Sequence, residues 1–323
     1  MKLIRINEKS DVNLLAQKSE FKNGSVIALG FFDGVHLAHR ELLSKAKDEA
    51  LNQNLPLLIF TFSADGSEIK SDSKRLITDE EKILLLKECG ADCVLLAKFS
   101  LFMNMTAEAF AREFLAKSLH ARSVVIGFNY KFGKGGRGDA VVLKSIMHEC
   151  GADTIIIPPY TYRGEEVSSS RIRTLIAKKQ FGEATRLLGK PYFIEGCVSH
   201  GLGLGKKLGF PTVNVSLPTD RVSPPVGVYA TAIRIGEKTF AALTNVGSCP
   251  TFDERAVHTE SFILNYSGDL YGQKIKICFV EFLRDEKKFL SPEELISQIN
   301  VDKMQVLRMV NDSKWQEIGL NLQ

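Results

Sequence analysis

The chain has 323 residues, of which 44% are hydrophobic and 25% are charged, and these ordinary fractions exclude wholesale disorder and collagen-like repeats. At about 150 residues per domain, the length predicts two domains. Because the sequence contains no run of about 18 apolar residues, it excludes a transmembrane helix. The net charge is +4, and the sequence has no long basic block. The charge is therefore only weak evidence for nucleic-acid binding.

The N-terminal segment and the cysteines bear on the compartment. Residues 1–20 carry charges throughout and lack an apolar core, so they do not resemble a secretory signal. The six cysteines are scattered along the chain without a C-x-x-C pair, which argues against a disulfide scaffold and a zinc ribbon. We therefore expect a cytoplasmic protein with free thiols and no membrane association.

The first half of the chain alternates β-rich runs with helical patterns. The predicted strands cover residues 25–29, 57–61, 93–96, 123–126 and 154–157, and the predicted helices cover 39–52, 79–89, 107–119 and 139–150. Thr78 and Glu81 form a capping box that begins the second of these helices. Several strands are continuous apolar runs, as expected when both faces of a parallel sheet are covered. The alternation predicts a doubly wound, Rossmann-like α/β sheet.

The second half changes character near Pro191, where glycine and proline become frequent. The predicted strands here cover residues 192–200, 227–235, 238–245, 258–264 and 274–283. Short successive strands separated by turn residues predict a small antiparallel β-barrel. Ser291 as N-cap, Pro292 at the first helical position and Glu294 as capping-box partner then predict a C-terminal helical tail. We place the domain boundary between residues 188 and 189.

A glycine-containing turn, residues 30–39, joins the first of these strands to a helix. Backbone N–H groups and the helix dipole make such a turn a phosphate site. His36 and His39 are three residues apart and share one face, from which two imidazoles can stabilise a phosphoryl group. The alternatives are a capped helix with incidental histidines, or a metal pair that lacks a third nearby ligand. No Walker A motif occurs in the chain.

Two further segments have the composition of anion sites. Residues 124–138 end a strand and continue into a basic, glycine-rich loop, which suits a loop that folds over polyphosphate or flavin; the alternative is a solvated surface loop. Residues 167–173 place three serines and two arginines at a helix start, which suits a second anion site. The alternative there is an N-cap followed by solvated arginines.

A third stretch, residues 196–214, combines glycines, lysines and hard oxygen ligands. Its glycines and the two lysines beside them suit a phosphate cradle; they are Gly201, Gly203, Gly205, Lys206 and Lys207. The G-x-G-x-x-G pattern of dinucleotide folds is not matched. Thr212 and Asn214 are two apart in an extended segment, so they face the same way and suit Mg²⁺ that bridges ATP phosphates. The alternative is a turn followed by an ordinary strand.

These motifs resemble those of the bacterial bifunctional riboflavin kinase/FAD synthetase family. Residues 30–39 resemble the G-x-F-D-G-x-H-x-G-H signature of nucleotidyltransferases, with Phe31 where Asn is usual and Ala38 where Gly is usual. Residues 200–214 resemble the riboflavin kinase signature H-G-x-x-x-G-R-x-L-G-x-P-T-A-N, with Lys206 in place of Arg and Val213 in place of Ala. The resemblance extends, in the family's order, from about residue 25 to residue 308.

Further blocks carry the resemblance and its departures. Residues 124–133 resemble V-G-x-D/N-F-x-F-G, and residues 167–173 resemble I-S-S-T-x-x-R. Residues 227–229, 245–247, 250–252, 268–272 and 282–284 resemble kinase blocks, and residues 260–265 resemble E-x-H-L-L-D. Phe262 stands where His is common, Asn265 where Asp is common, and residues 63–66 replace a P-H-P-like sequence.

The resemblance implies two activities and a set of site residues. A C-terminal kinase would phosphorylate riboflavin to FMN with ATP, and an N-terminal FAD synthetase domain would adenylylate FMN to FAD with a second ATP and release pyrophosphate. The implied catalytic residues are Glu260, as the base, with His36 and His39; the implied metal ligands are Thr212 and Asn214. The implied cofactor-binding residues are Gly30, Asp33, Asn129, Ser169, Ser170, Arg173, Gly201, Gly203, Gly205, Lys206, Tyr229, Asn245 and Arg284.

We expect riboflavin, FMN and ATP as partners with Mg²⁺, and neither nucleic acid nor a membrane. We also expect a monomer or a weak homo-oligomer in the cytoplasm. Two other functions fit the same motifs. One is a flavin- or nucleotide-binding regulator with one or both active sites decayed, and the other is a nucleotidyltransferase for a different phosphorylated acceptor.

Overall fold

The computed structural model describes residues 1–15, 21–63, 74–201, 205, 208–248, 257–311, 314–317 and 320. The chain divides into two compact units, Met1–Ser169 and Ser170–Gln323. This division falls before the boundary expected between residues 188 and 189, which stays a prediction. Within the described residues, no helix has the length and apolar character that a membrane crossing requires.

The first unit is built on a six-stranded parallel sheet in the order β1-β4-β3-β2-β5-β6. The strands are β1 (Lys2–Ile6), β2 (Ser25–Leu29), β3 (Leu57–Phe62), β4 (Cys93–Ala97), β5 (Ala121–Gly127) and β6 (Asp153–Ile157). The helices are α1 (Lys9–Leu15), α2 (Leu37–Gln53), α3 (Asp79–Glu88), α4 (Ala107–Ala109) and α5 (Ala140–Glu149). A short hairpin of β7 (Thr161–Tyr162) and β8 (Glu165–Glu166) follows β6. The predicted doubly wound sheet is confirmed.

The capping box of α3 forms as predicted, whereas the helix predicted over residues 107–119 is only partly α-helical. The predicted capping box is confirmed, because the Glu81 N–H donates to Thr78 Oγ1 at 3.2 Å and the Thr78 N–H donates to Glu81 Oε2 at 2.9 Å. The helix predicted over residues 107–119 is present, but after α4 it continues as a π-helix over Phe110–Ser118. The rings of Phe110 and Phe114 in this segment lie 5.5 Å apart, and Phe110 lines the site described below.

The second unit is a curled antiparallel sheet in the order β10-β13-β12-β11-β14-β9. The strands are β9 (Tyr192–Cys197), β10 (Thr212–Ser216), β11 (Gly227–Ile235), β12 (Lys238–Ser248), β13 (Val257–Ile263) and β14 (Lys274–Arg284). The helices are α6 (Ser169–Ala177), which begins at the last residue of the first unit, α7 (Phe181–Leu188), α8 (Pro292–Asn311) and α9 (Lys314–Glu317). The two edge strands approach each other, because a Cβ at Gly196 would lie 2.4 Å from Val215 and Ser199 bridges Asn214. The predicted barrel is confirmed as this curled sheet.

The C-terminal helix begins where the sequence predicts, at Pro292, and packs on the outer face of the curled sheet. The Glu294 N–H donates to the Ser291 hydroxyl at 3.3 Å, which confirms the N-cap. The Glu294 carboxylate accepts from the N–H of Leu290 at 3.1 Å rather than from that of Ser291. The reciprocal half of the predicted capping box is therefore shifted by one residue.

Candidate active sites

The first candidate site lies where the strand order of the parallel sheet reverses. The chain passes from β2 to β3 and β4 on one side, and then to β5 on the other side of β2. Open α/β sheets bind ligands outside the carboxyl ends of the strands at such a point. Gly30 and Asn129 follow β2 and β5 there, and both line a cavity of about 440 Å³.

The loop after β2 has a strained backbone. Phe32 and Val35 have φ values of 52° and 41°, which non-glycine residues rarely adopt. A Cβ at Gly30 would lie 2.7 Å from the ring of Phe32, so glycine is required where the strand meets this ring. Strain of this kind clusters at ligand sites, where the surrounding structure maintains it.

The two histidines of this loop lie against each other, as their spacing predicts. The rings of His36 and His39 stack with 3.6 Å between centroids and 16° between planes. His36 is the N-cap of α2, and its Nδ1 accepts from the N–H of His39 at 3.4 Å. His39 Nδ1 is buried and lacks a hydrogen-bond partner within the described part of the chain, although other atoms of the residue remain accessible.

The electrostatics of this pair favour a neutral His39. Burial is the largest cause that lowers the His39 pKa well below its usual value, followed by the charges of His36 and Lys82. A neutral imidazole donates from one ring nitrogen and accepts at the other. His39 is therefore suited to hydrogen bonding with a phosphoryl group without a full charge of its own.

Asp33 and Ser169 connect this loop to two other segments. The buried Asp33 carboxylate accepts from the N–H of Leu76 at 3.0 and 3.2 Å and from the N–H of Ile77 at 3.3 Å. The Ser169 hydroxyl donates to the Asp33 carbonyl oxygen at 2.9 Å. The structure thus brings Ser169 to the loop and shows Asp33 holding the segment before α3, while the predicted contact of Asp33 with a ligand stays a prediction.

The rest of the serine and arginine motif lies on α6. Ser170 follows Ser169 in this helix, and Arg173 is four residues after Ser169, so Arg173 and Ser169 share a helix face. Ser170 and Arg173 belong to the second compact unit. Their predicted contact with phosphate stays a prediction.

Aromatic side chains form about half of the lining of the first cavity, which the motifs did not predict. The aromatic residues that line it are Phe31, Phe32, Phe60, Phe62, Phe99, Phe102, Phe110, Tyr130 and Phe132. Tyr130 stacks on Phe132 with 5.9 Å between centroids, and burial raises the pKa of its phenol. The signal was the high content of 20 phenylalanines. A cavity with such walls suits a planar ring system.

The basic glycine-rich loop after β5 packs against α4. Gly133, with φ of 72°, passes so close to α4 that a Cβ would lie 2.7 Å from the backbone nitrogen of Ala107. The Lys134 N–H donates to the Met105 carbonyl oxygen at 2.7 Å. Gly133 and Gly136 line the cavity, so this loop forms part of the site rather than a detached surface segment.

The second candidate site is a cavity of about 570 Å³ between the curled sheet and α8. Asn214, Glu260 and Asn245 stand side by side on β10, β13 and β12, because Glu260 pairs with Asn214 on one side and with Asn245 on the other. Glu260 and Asn245 line the cavity together with Thr212, and Glu260 is exposed to it. Thr212 pairs with Phe262, so it lies one step along the same face as Asn214.

The glycine loop passes directly over the predicted metal ligands. A Cβ at Gly201 would lie 2.3 Å from Asn214 Nδ2, and a Cβ at Gly205 would lie 2.4 Å from the Phe210 carbonyl oxygen and 3.3 Å from Thr212 Oγ1. A larger residue at Gly201 would displace the Asn214 amide, and one at Gly205 would collide with the Phe210 backbone. Gly203, Lys206 and Lys207, from the same motif, lie outside the described residues.

Of the other residues predicted to bind a ligand in this unit, Asn245 and Arg284 line the cavity and Tyr229 does not. Asn245 Nδ2 donates to Glu286 Oε1 at 2.9 Å, while its buried Oδ1 lacks a partner among the residues described. Arg284 lines the cavity, but Asp302 binds its guanidinium from α8 at 2.8–3.1 Å. Tyr229 is fully buried on the opposite face of β11, where its hydroxyl donates to the Pro225 carbonyl oxygen. The structure does not place Tyr229 at the cavity.

Comparisons with known proteins identify both halves of the chain. A family model for FAD synthetase matches residues 18–171, and one for riboflavin kinase matches residues 188–310. The chain is 35% identical over 309 residues to the bifunctional riboflavin kinase/FMN adenylyltransferase of Escherichia coli K12, covering 94% of this chain and 96% of that protein. It is 34% identical over 292 residues to the protein of the same name from Bacillus subtilis, covering 88% and 92%.

One solved structure also matches most of the chain. The structure of a macrolide-efflux protein from Streptococcus pneumoniae matches with a TM-score of 0.83 and 30% identity, covering 94% of this chain and 98% of that one. The two family models and the curated relatives show that the chain belongs to the bifunctional riboflavin kinase/FMN adenylyltransferase family.

Proposed function

We propose that this protein phosphorylates riboflavin to FMN in a domain of residues 189–323 and adenylylates FMN to FAD in a domain of residues 1–188. Each reaction uses one ATP. The observation that carries the proposal is that each unit holds its own cavity lined by its own motif. Glu260 and Thr212 line one, and His39 and Asn129 line the other.

In the kinase, Glu260 acts as the general base. Its carboxylate faces the cavity from β13 and takes the proton of the ribityl 5′-hydroxyl as that oxygen attacks the γ-phosphorus of ATP. The bond between the γ-phosphorus and its bridging oxygen breaks, and ADP leaves. The unpartnered Oδ1 of Asn245 suits a donor group of the flavin or nucleotide in the same cavity.

Thr212 and Asn214 would hold Mg²⁺ in this domain. The two side chains share one face of β10 and offer a hydroxyl and an amide oxygen, which are hard ligands of the kind Mg²⁺ prefers. The tight passage of Gly201 and Gly205 over them leaves backbone, rather than side chains, next to the phosphates. When bound, Mg²⁺ neutralises charge on the phosphates of ATP.

In the adenylyltransferase, the phosphate of FMN attacks the α-phosphorus of ATP and pyrophosphate leaves. His36 and His39 donate hydrogen bonds to the reacting phosphoryl group as its charge develops. Ser169, Ser170 and Arg173 hold the departing pyrophosphate. The aromatic walls of the first cavity hold the planar flavin. No covalent enzyme intermediate is required, so rate enhancement comes from positioning and electrostatics.

The test is to incubate the protein with riboflavin, ATP and Mg²⁺ and to separate the flavins by chromatography. The wild type is expected to make FMN and FAD. Glu260→Ala is expected to block FMN formation but still convert added FMN to FAD, and His39→Ala is expected to accumulate FMN without FAD. Tight flavin binding without any product would instead favour a regulator, and a folded single variant that lost both activities would contradict the division of labour.

A further inference from the structure

Lys82 is a buried cation beside the cavity of the first unit that neither the motifs nor the mechanism above uses. It lies on α3, and its side chain is 4% exposed. Burial lowers its pKa, against the opposing effects of Asp79 and Asp33. A buried ammonium is unfavourable unless it is paired and hydrogen-bonded, so the contacts of this one indicate what it does.

The Lys82 ammonium joins two walls of the cavity. It donates to the carbonyl oxygen of Phe62, the last residue of β3, at 2.7 Å. It also lies 5.2 Å from the centre of the Phe31 ring in the loop after β2, within the range of a cation–π contact. Phe31 and Phe62 both line the cavity.

The carboxylates around Lys82 have other partners as well. Asp79 lies 3.3 Å from the Lys82 ammonium and 3.7 Å from the guanidinium of Arg75. The Asp33 carboxylate accepts backbone hydrogen bonds from the segment before α3. Lys82 therefore belongs to a connected group of charges that holds α3 against the loop after β2, and its own contacts are with Phe31 and Phe62 of the cavity wall.

Phe31 presents a ring suited to a ligand. Phe31 is 36% exposed. The Thr61 hydroxyl, Oγ1, donates a hydrogen bond to the Phe31 carbonyl oxygen at 3.0 Å, which fixes the backbone below the ring. With the ammonium near one part of the ring, the exposed part remains available for stacking.

We propose that Lys82 is a positioning residue for FMN adenylylation, which fixes Phe31 and Phe62 as the walls that hold the flavin ring. This inference rests on the proposed adenylyltransferase function. Lys82 acts through these two residues, so its loss should weaken flavin binding more than it slows chemistry.

The experiment compares Lys82→Met and Lys82→Arg with Lys87→Met, which removes an exposed lysine from the same helix. Lys82→Met is expected to raise KM for FMN about tenfold while kcat changes less than about threefold, as expected for the loss of ground-state contacts such as a cation–π pair. Lys82→Arg keeps the cation and is expected to recover most of the affinity. Lys87→Met should leave KM for FMN unchanged. The rate of FMN formation from riboflavin, measured for every variant, shows whether its second unit is intact.

Three outcomes would overturn the inference. KM for FMN could stay unchanged in Lys82→Met, Lys87→Met could raise it equally, or kcat alone could fall without rescue by arginine, as for a merely structural residue. If Lys82→Met does not fold, Phe31→Leu serves instead, and an unchanged KM for FMN in that variant would overturn the proposal. A wild type that makes no FAD from FMN would overturn the proposed function as well, whereas active variants with the wild-type KM would overturn only this inference.

Discussion

At the scale of single residues, the burial of His39 makes the stability of the folded protein depend on pH. Its folded-state pKa lies well below 6.5, with burial as the main cause, so the folded protein resists protonation that the unfolded chain accepts near pH 6.5. The unfolded state then binds more protons as the pH falls. The stability that His39 contributes is therefore present above about pH 6.5 and is lost as the pH falls toward the folded-state pKa.

We predict that the His39 ring titrates below the ordinary range of a histidine in the folded protein. Imidazole carbon chemical shifts, followed by NMR through a pH titration and assigned with His39→Gln, measure this directly. In Lys82→Met the midpoint is expected to rise, since one of the charges that lowers the pKa is removed. A His39 ring half-protonated at or above pH 6.5 would contradict the account.

Gly201 tests the close approach above Asn214. Gly201→Ala would place a Cβ 2.3 Å from Asn214 Nδ2, so the amide must move away from the position proposed for metal binding. We expect FMN formation to fall at least about tenfold, while conversion of FMN to FAD is unchanged. The matched control is Gly182→Ala in α7, where a Cβ meets nothing within 4 Å, and it should leave both rates unchanged. Equal FMN formation by Gly201→Ala and the wild type would refute this role.

The motifs predicted many of these residues, but not their partners. Spacing alone predicted that His36 and His39 share a face, because that depends only on helix geometry. Lys82 and the aromatic walls could not be predicted in the same way, since residues 31, 62 and 82 meet only through the packing of three separate elements. Tyr229 shows the converse, because a motif match did not reveal which face of β11 its ring occupies.

At the scale of secondary-structure elements, Arg284 and Asp302 hold α8 to the end of β14. Arg284 uses Nε and Nη2 for Asp302, which is 2% exposed, and Gln298 also donates to Asp302 at 2.8 Å. Leu295 and Ile299 of α8 line the kinase cavity. This ion pair therefore positions one wall of the cavity.

We predict that Asp302→Ala destabilises the second unit by about 3 kcal/mol, as for other buried pairs that lose one partner, and raises KM for riboflavin. Thermal unfolding and riboflavin titration of the kinase measure the two effects. Gln305→Ala, an exposed position on the same helix, is the control and should change neither. If Asp302→Ala matched this control, α8 would not depend on the pair.

The elements themselves could be predicted where the local pattern is strong. The apolar run 25–29 and the long strand 227–235 match β2 and β11. β1 was missed because it is a short edge strand with Lys2 and Arg5 exposed. The sequence predicts only an extended segment at β10, since its strand character comes from pairing with the distant β13. The π-helix over Phe110–Ser118 could not be predicted, since apolar periodicity does not distinguish it from an α-helix.

At the scale of the whole molecule, the chain holds two compact units, and each has a cavity of several hundred Å³ with a glycine-containing loop at its edge. We propose that this one chain carries two separate active sites that act in sequence on a flavin. FMN, the product of one unit, is the substrate of the other, so the two sites can be inactivated separately.

The most direct test mixes two inactive variants. Glu260→Ala and His39→Ala, each alone with riboflavin, ATP and Mg²⁺, are expected to yield no FAD. Mixed in equal amounts, they are expected to make FAD, because His39→Ala supplies FMN that Glu260→Ala then adenylylates. Failure of the mixture to make FAD, when each variant keeps its remaining single activity, would contradict the claim that released FMN links two independent sites.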